Sequence, residues 1–334
     1  LLAGAAEATK NINAIGGILG DRIEIIPYDD KCQPKLAMNI AKQLVKEQRI
    51  HAIIGHTTSA ATLATLDTYA KSNKLIISAT ATNPQITQQN ITTLFRISGR
   101  DDQQGEVIAK FIATKLQSNR IAILHDEDVY GKALADYVME NLASMNKQPI
   151  LYQGVPKGTK DLAKIIDKFK QLSIDVVFFA ALYTDIGNLA KTMYDNHLQI
   201  PLVVGDSVAL NSFVIAAGGR HAVASVIMSF TDDAKTSSKN SALITTMRQE
   251  HLETNGYTLY AYSAVQVIAA AMQATKTTNG IKLANWLHNN TVDTVLGKKS
   301  WDTNGDIIDA EFKMYTWDNN GHYQPILTKK INNL

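Results

Sequence analysis

Short runs of apolar, β-branched residues alternate with longer segments of helical period along most of this chain, and turn residues separate the two. No other feature restricts the architecture as much, because strands that are apolar throughout and joined by helices must bury both faces in a parallel sheet. The expected strands are 23–28, 52–55, 75–78, 121–125, 150–154, 176–180, 202–205 and 226–230. Between them Leu36, Ile40 and Leu44 recur at four-residue spacing with Ala37, Ala41 and Val45 beside them, which makes one buried stripe on a helix. Ile108, Phe111, Ile112 and Leu116 do the same.

The pattern runs once through Ser98 and begins again near Arg120, and 334 residues of which 45% are hydrophobic supply enough apolar area for two cores. The expected fold class is therefore α/β, with two doubly wound parallel-sheet lobes. Helical segments dominate residues 243–287, and a short strand-and-turn tail follows from Phe312. Such a tail implies that the chain returns to complete the first lobe and then crosses back, so that several hinge crossovers join the lobes. Lobe I takes residues 1–99 and 229–308, and lobe II takes 100–228 and 309–334.

Composition removes several function classes. Lys plus Arg (33) nearly balances Asp plus Glu (31) without a long block of either sign, which leaves no footprint for a polyanion, so no nucleic-acid partner is expected. No run of about 18 uncharged apolar residues could span a bilayer. Cys32 has no second cysteine to pair with, and the eight histidines lack paired ligand spacing, so no metal is expected. The sequence opens inside the amphipathic helical stretch LLAGAAEATKNINAIGG rather than with a basic start and an apolar core, so no export signal peptide is read in it.

Enzyme signatures are missing too: there is no GxSxG elbow, no GxxxxGK[ST] loop and no HExxH. Gly16, Gly17 and Gly20 lack the GxGxxG order and follow a helix, so they read as the turn that closes it. Neither a catalytic residue nor a cofactor is expected. His56 and His125, at strand ends, read as buried histidines bonded to loop backbone. The run DTNGD from Asp302 to Asp306 lacks the periodic ligands of a cation loop and reads as a turn.

The segment IIGHTTSAAT is more informative. Its strand ends at Gly55 and its helix begins near Ala60, so Thr57, Thr58 and Ser59 lie where free backbone N–H groups and the helix dipole can hold a carboxylate. An ordinary Ser or Thr N-cap is the plainer alternative. The next strand ends in ISATATNP, which places Thr80, Ala81 and Thr82 at a second carboxyl edge, where parallel sheets present their ligands. In the second lobe Tyr130 follows one strand and Asp206 ends another. An acidic side chain opposite hydroxyls and a helix N-terminus is what an α-amino acid needs, although Asp206 could equally cap the helix before Val208.

The runs INAIGGILGDRIEIIPYDDKCQP, AIIGHTTSAAT, SGRDDQQG, IAILHDEDVYGKALA and VDTVLGKKSWDTNGD stand in the order found in the leucine/isoleucine/valine-binding proteins, and the chain resembles that family along essentially its whole length. These are type I periplasmic binding proteins that serve ABC importers. The resemblance implies a monomer, periplasmic or otherwise extracytoplasmic and lipid-anchored, that closes its lobes on a free branched-chain amino acid and delivers it to a membrane permease. A sensor of the same fold that signals instead of transporting is the alternative.

Carried over residue by residue, the resemblance gives Ser59 the ligand carboxylate and gives Thr80 and Thr82 the loop that completes the carboxylate and ammonium contacts. Tyr130 matches a tyrosine that closes over the ligand, and Asp206 falls where the family has a glutamate paired with the ammonium. Tyr257 matches an aromatic residue near the cleft. Cys32 matches a cysteine whose family partner falls at Thr58, so that disulfide is lost and Cys32 is expected as a buried small side chain. Leu182, with Tyr183 adjacent, stands where the family has another cleft tyrosine. The family's opening strand, and the pocket loop after it, would precede Leu1.

Overall fold

The structure, a computed structural model, describes residues 1–224 and 226–326. It divides into two compact units, one of residues 1–99 and 233–310, the other of residues 100–232 and the segment from Glu311 onward. The chain thus passes from one unit to the other after Gly99, Asp232 and Ala310.

Residues 1–99 contain helix α1 (Leu2–Ala14), helix α2 (Pro34–Leu44), strand β1 (Ala52–Ile54), helix α3 (Ser59–Ala70), strand β2 (Leu75–Ser78) and strand β3 (Leu94–Arg96). The three strands form a parallel sheet in the order β1-β2-β3, with Ile53 beside Ile76 and Ile77 beside Phe95. Four apolar or small side chains at β2 are shut off from solvent on both faces, as a central strand requires. Helix α2 starts at a proline whose missing N–H would have no helical partner anyway. Its fully buried residues are Ala37, Ala41 and Leu44, while Leu36 and Ile40 are half-buried, so the stripe turns its smaller members inward.

Residues 23–28 form no strand. A ladder needs a neighbouring chain, and at Ile23 the backbone is served by a side chain instead: its N–H donates to Asn13 Oδ1 (2.8 Å) and its carbonyl accepts from Asn13 Nδ2 (2.9 Å). The preceding turn is as expected, with Gly16, Gly17 and Gly20 all at positive φ after α1. A groove of about 530 Å³ lies between α1 and Arg22–Ile25, and no candidate ligand residue lines it.

Residues 100–232 continue with α4 (Asp101–Thr114), β4 (Ile121–His125), α5 (Val129–Ser144), β5 (Leu151–Gly154), α6 (Ala163–Gln171), β6 (Val176–Ala180), α7 (Tyr183–Asp195), β7 (Leu202–Val204), the short helices α8 (Asn211–Ala216) and α9 (Arg220–Val223), and β8 (Val226–Thr231). After them come α10 (Ser241–Gln249), α11 (Thr258–Thr275), α12 (Gly280–Leu287) and a hairpin of β9 (Val292–Thr294) with β10 (Gly297–Lys299), all in the first unit. Strands β11 (Phe312–Trp317) and β12 (Tyr323–Pro325) close the described chain.

The sheet of the second unit has seven strands in the order β12-β11-β8-β7-β6-β4-β5. Strands β4 to β8 are parallel, and Ile121, Ile123, Val176, Phe178, Val203 and Ile227 from them share one core with Ile108 and Ile112 of α4 and Leu134 and Val138 of α5. The sheet is nevertheless mixed rather than all parallel, because β11 runs antiparallel to β8 and β12 antiparallel to β11. A tight turn is enough to join antiparallel neighbours, whereas a parallel one needs a long crossover, and only residues 318–322 separate β11 from β12. Strand β8 stays whole in this unit, so the chain leaves the unit after Asp232, just past the strand's end.

In the first unit α11 is buried nearly all round its first half, from Thr258 to Val265, and α1 packs on it so closely that a Cβ at Gly4 would sit 1.9 Å from the Thr258 carbonyl oxygen. That oxygen is backbone and cannot swing aside. Gly4→Ala should lower stability by about 2 kcal/mol through overpacking, read as a fall in the urea midpoint with an unchanged m-value.

Candidate functional site

In the first unit β1 ends at Ile54 and α3 begins at Ser59, so residues 55–58 form the strand-to-helix loop. Thr58 is the N-cap, its hydroxyl accepting from the Ala61 amide at 3.4 Å. The plain capping alternative therefore accounts for Thr58, but not for Ser59, which is the first helical residue. Ser59 Oγ accepts the Asn83 amide (3.3 Å) and keeps its own proton to donate. The N–H groups of Ser59 and Ala60 belong to the first turn, which has no helical carbonyl to receive them and carries the positive end of the dipole.

The loop after β2 comes to the same place. Thr80 Oγ1 donates to the Thr57 carbonyl (2.8 Å), and with the Asn83–Ser59 bond this ties the two loops together. Thr57 is exposed and Thr80 half-buried, while Thr58, Ser59, Ala81 and Thr82 are buried. Behind the loop stands Arg96, 0% exposed. Its Nη1 donates to the Ala81 carbonyl (2.9 Å), its Nη2 to the Asn83 carbonyl (3.0 Å) and to Thr87 Oγ1 (2.9 Å), and its Nε to Asp306 Oδ1 (2.8 Å). The 302–306 run is the expected turn, with Asp302 Oδ1 accepting the Asn304 and Asp306 amides, and it also delivers this buried counter-ion.

His56 differs from its expectation. It is buried, but its ring is held by side chains rather than loop backbone: Nδ1 meets Asp30 Oδ2 (2.5 Å) and Nε2 meets Tyr69 Oη (2.9 Å). The hydrogen bond from His56 holds the Asp30 carboxyl below its ordinary value, and burial pushes the Tyr69 phenol far up. His125 does meet loop backbone, its Nδ1 accepting from the Glu127 amide (3.1 Å). Cys32 is half-buried rather than buried.

In the second unit Tyr130 sits in the first turn of α5 and Asp206 follows β7; Tyr130 Oη donates to Asp206 Oδ1 at 2.7 Å. Both are buried. Gly205 makes the approach possible, since a Cβ there would lie 2.4 Å from Tyr130 Oη. Burial raises the Tyr130 phenol well above its usual value, and the charges of Asp206, Asp101 and Asp126 push the same way. Leu182 precedes α7 and Tyr183 opens it, both half-buried, at the neighbouring end of β6; Ser207 Oγ donates to the Ala181 carbonyl (2.6 Å) and joins the two strand ends. Tyr257 is placed apart from these loops in the chain, half-buried just before α11 with its ring edge-on to Tyr260 at 5.1 Å.

The sequence reading missed Arg96, Asp306, Asp30 and Tyr69. One signal was available: an arginine inside the apolar run LFRIS must find a buried counter-charge. Among the described residues no group of three or more His, Cys, Asp or Glu side chains could hold a metal ion, and no helix is long and apolar enough to cross a membrane.

Comparison with known proteins places this geometry in a family. The model described as "Periplasmic binding protein" matches residues 1–322. The chain belongs to the periplasmic binding proteins. Among its relatives within and around that family, an amino acid binding protein of Pseudomonas aeruginosa is 34% identical over 323 residues, 97% of this chain and 86% of the relative. The Leu/Ile/Val-binding protein homolog 1 of Brucella abortus is 35% identical over 316 residues (94% and 84%), and the leucine-specific-binding protein of Salmonella typhimurium is 32% identical over 319 (95% and 86%). The solved branched-chain amino acid transporter substrate binding protein of Streptococcus pneumoniae, in complex with isoleucine, superposes with a TM-score of 0.88 at 24% identity, over 97% of this chain and 93% of that one. A leucine binding protein of Thermotoga maritima gives the same TM-score at 18% identity, over 97% and 94%. These two likenesses establish the type I periplasmic-binding-protein fold of the chain.

Asp126 lies just after β4. It is buried, its Oδ1 accepts the Asp128 amide (3.0 Å), and its Oδ2 has no hydrogen-bond partner among the described residues, so burial pushes its carboxyl up from 3.8 to about 6. The folded state favours the neutral acid, so this group's contribution to stability is complete below about pH 4 and is lost as the pH rises through about 6. Asp126→Asn, neutral throughout, should remove that part of the decline, seen as a flatter melting temperature between pH 4 and 6 than in the parent protein.

Proposed function

We propose that this protein binds a free branched-chain α-amino acid outside the cytoplasm, as the substrate-binding component of an ABC importer. The observation that carries this reading is a pair of opposite electrostatic half-sites, each built at the carboxyl edge of a sheet. Ser59 and Thr82 stand with the first-turn amides of α3, on loops that Thr80 braces through the Thr57 carbonyl, a set of donors suited to a carboxylate. Asp206 is a buried carboxylate aimed by the Tyr130 hydroxyl, suited to an ammonium. The two sets are complementary in charge to the two poles of a zwitterion.

Relatives named for leucine, isoleucine and valine support an aliphatic side chain, and half-buried Leu182 and Tyr183 add apolar surface beside Asp206's strand end. The relatives' names describe amino-acid binding, and the superposed Streptococcus pneumoniae protein is a transporter substrate binding protein, which supports a carrier passing its ligand to a permease.

Isothermal titration with leucine, isoleucine and valine should show saturable binding, and heat from none of the twenty amino acids would end the proposal. Asp206→Asn should weaken binding by about 3 kcal/mol, roughly a hundredfold in Kd, since it leaves an ammonium without its counter-charge. Ser59→Ala should weaken it by about 1.5 kcal/mol, the value of one hydrogen bond to a charged group. Wild-type affinity in the Asp206 variant would show that the ammonium is held elsewhere.

A further inference from the structure

We infer that Arg96 is a positioning residue that makes the Thr82 amide a donor for the ligand carboxylate, without touching the ligand itself. The inference rests on the amino-acid reading and adds to it the origin of one contact. In a trans peptide the carbonyl of one residue and the N–H of the next point in opposite directions. Arg96 Nη1 holds the Ala81 carbonyl at 2.9 Å, and Ser78 Oγ reaches the same oxygen at 3.4 Å. The Ala81–Thr82 peptide is trans. The Thr82 N–H must therefore point away from the guanidinium, and no partner for it is present among the described residues.

The next peptides are fixed as firmly. The Asn83 amide is committed to Ser59 Oγ, and the Asn83 carbonyl to Arg96 Nη2. Proline follows at position 84 and supplies no N–H. Of the N–H groups at residues 82–84, only that of Thr82 is left for a ligand. A charged side chain would not be needed merely to close this loop, since burying a guanidinium is favourable only with its counter-ion and its donors all satisfied. Asp306, Thr87 and the two carbonyls meet that requirement, and the outcome is a loop whose two carbonyls are drawn to one side. Donors fixed in advance bind an anion without reorganising, which is the condition for discrimination by charge.

The test compares L-leucine with L-leucinamide, which keeps the ammonium and side chain but loses the carboxylate. Isothermal titration of the parent protein, Arg96→Lys and Trp301→Phe gives the preference for leucine in each. Lysine keeps the charge but cannot reach both carbonyls, so the preference should shrink about tenfold, the value of one charge-assisted hydrogen bond. Trp301→Phe removes only the indole bond to the Arg96 backbone carbonyl (2.8 Å) and serves as the structural control: its melting temperature should fall and its preference stay. An undiminished preference in Arg96→Lys, or an equal loss in both variants, overturns the inference. Should Arg96→Lys not fold, the ¹⁵N-labelled parent protein decides: its Thr82 amide proton should move downfield with saturating leucine and much less with leucinamide. Leucine binding that leaves Thr82 unmoved overturns the role of Arg96 alone, whereas no binding of either compound overturns the amino-acid reading and this inference with it.

Discussion

Strand direction is the constraint on which the rest depends. In a parallel sheet every strand ends on one edge, and each following helix begins there with unsatisfied N–H groups. The loops after β1 and β2 share such an edge in the first unit, and the ends of β4, β6 and β7 share one in the second. Side chains far apart in sequence are gathered in this way, Tyr130 with Asp206 across 76 positions and Ser59 with Asn83 across 24. The antiparallel strands β11 and β12 are added at the outer side of β8 and leave that edge undisturbed.

Two buried carboxylates, Asp306 and Asp206, are held in different ways. Asp306 meets Arg96 and Thr87 and is neutralised in place, so it locks a turn to the loop that follows β2. Asp206 accepts a hydrogen bond from the neutral Tyr130 phenol, which directs its carboxyl group. Buried ion pairs add little net stability, but breaking one is severe, and this suits a part whose purpose is to hold geometry.

Much of this was legible in the sequence where the information was local. Strands 75–78, 121–125 and 176–180 fall where their apolar runs stand, because a strand buried on both faces advertises itself by composition alone. The same logic, a strand followed by hydroxyl residues, placed Ser59 and Thr82 in the segments that follow β1 and β2. Pairing was not legible. Residues 23–28 carry the composition of a strand but no ladder, and the β9–β10 hairpin, with Asp293 opposite Lys298, carries a ladder without an apolar run. Arg96 and Asp306 are 210 residues apart and His56 and Asp30 are 26, and no short-range pattern links such partners.

The three passages of the chain between its units have a consequence for biosynthesis. The second unit's five parallel strands lie in one uninterrupted stretch, from Ile121 to Thr231, whereas the first unit needs α10, α11 and α12, which are made afterwards. Emerging from a ribosome amino end first, the chain can assemble the parallel part of its later lobe before its earlier lobe is complete, and β11 and β12 join that sheet last. Helix α1, made before α11, must keep its apolar face out of other contacts until α11 arrives some 250 residues later.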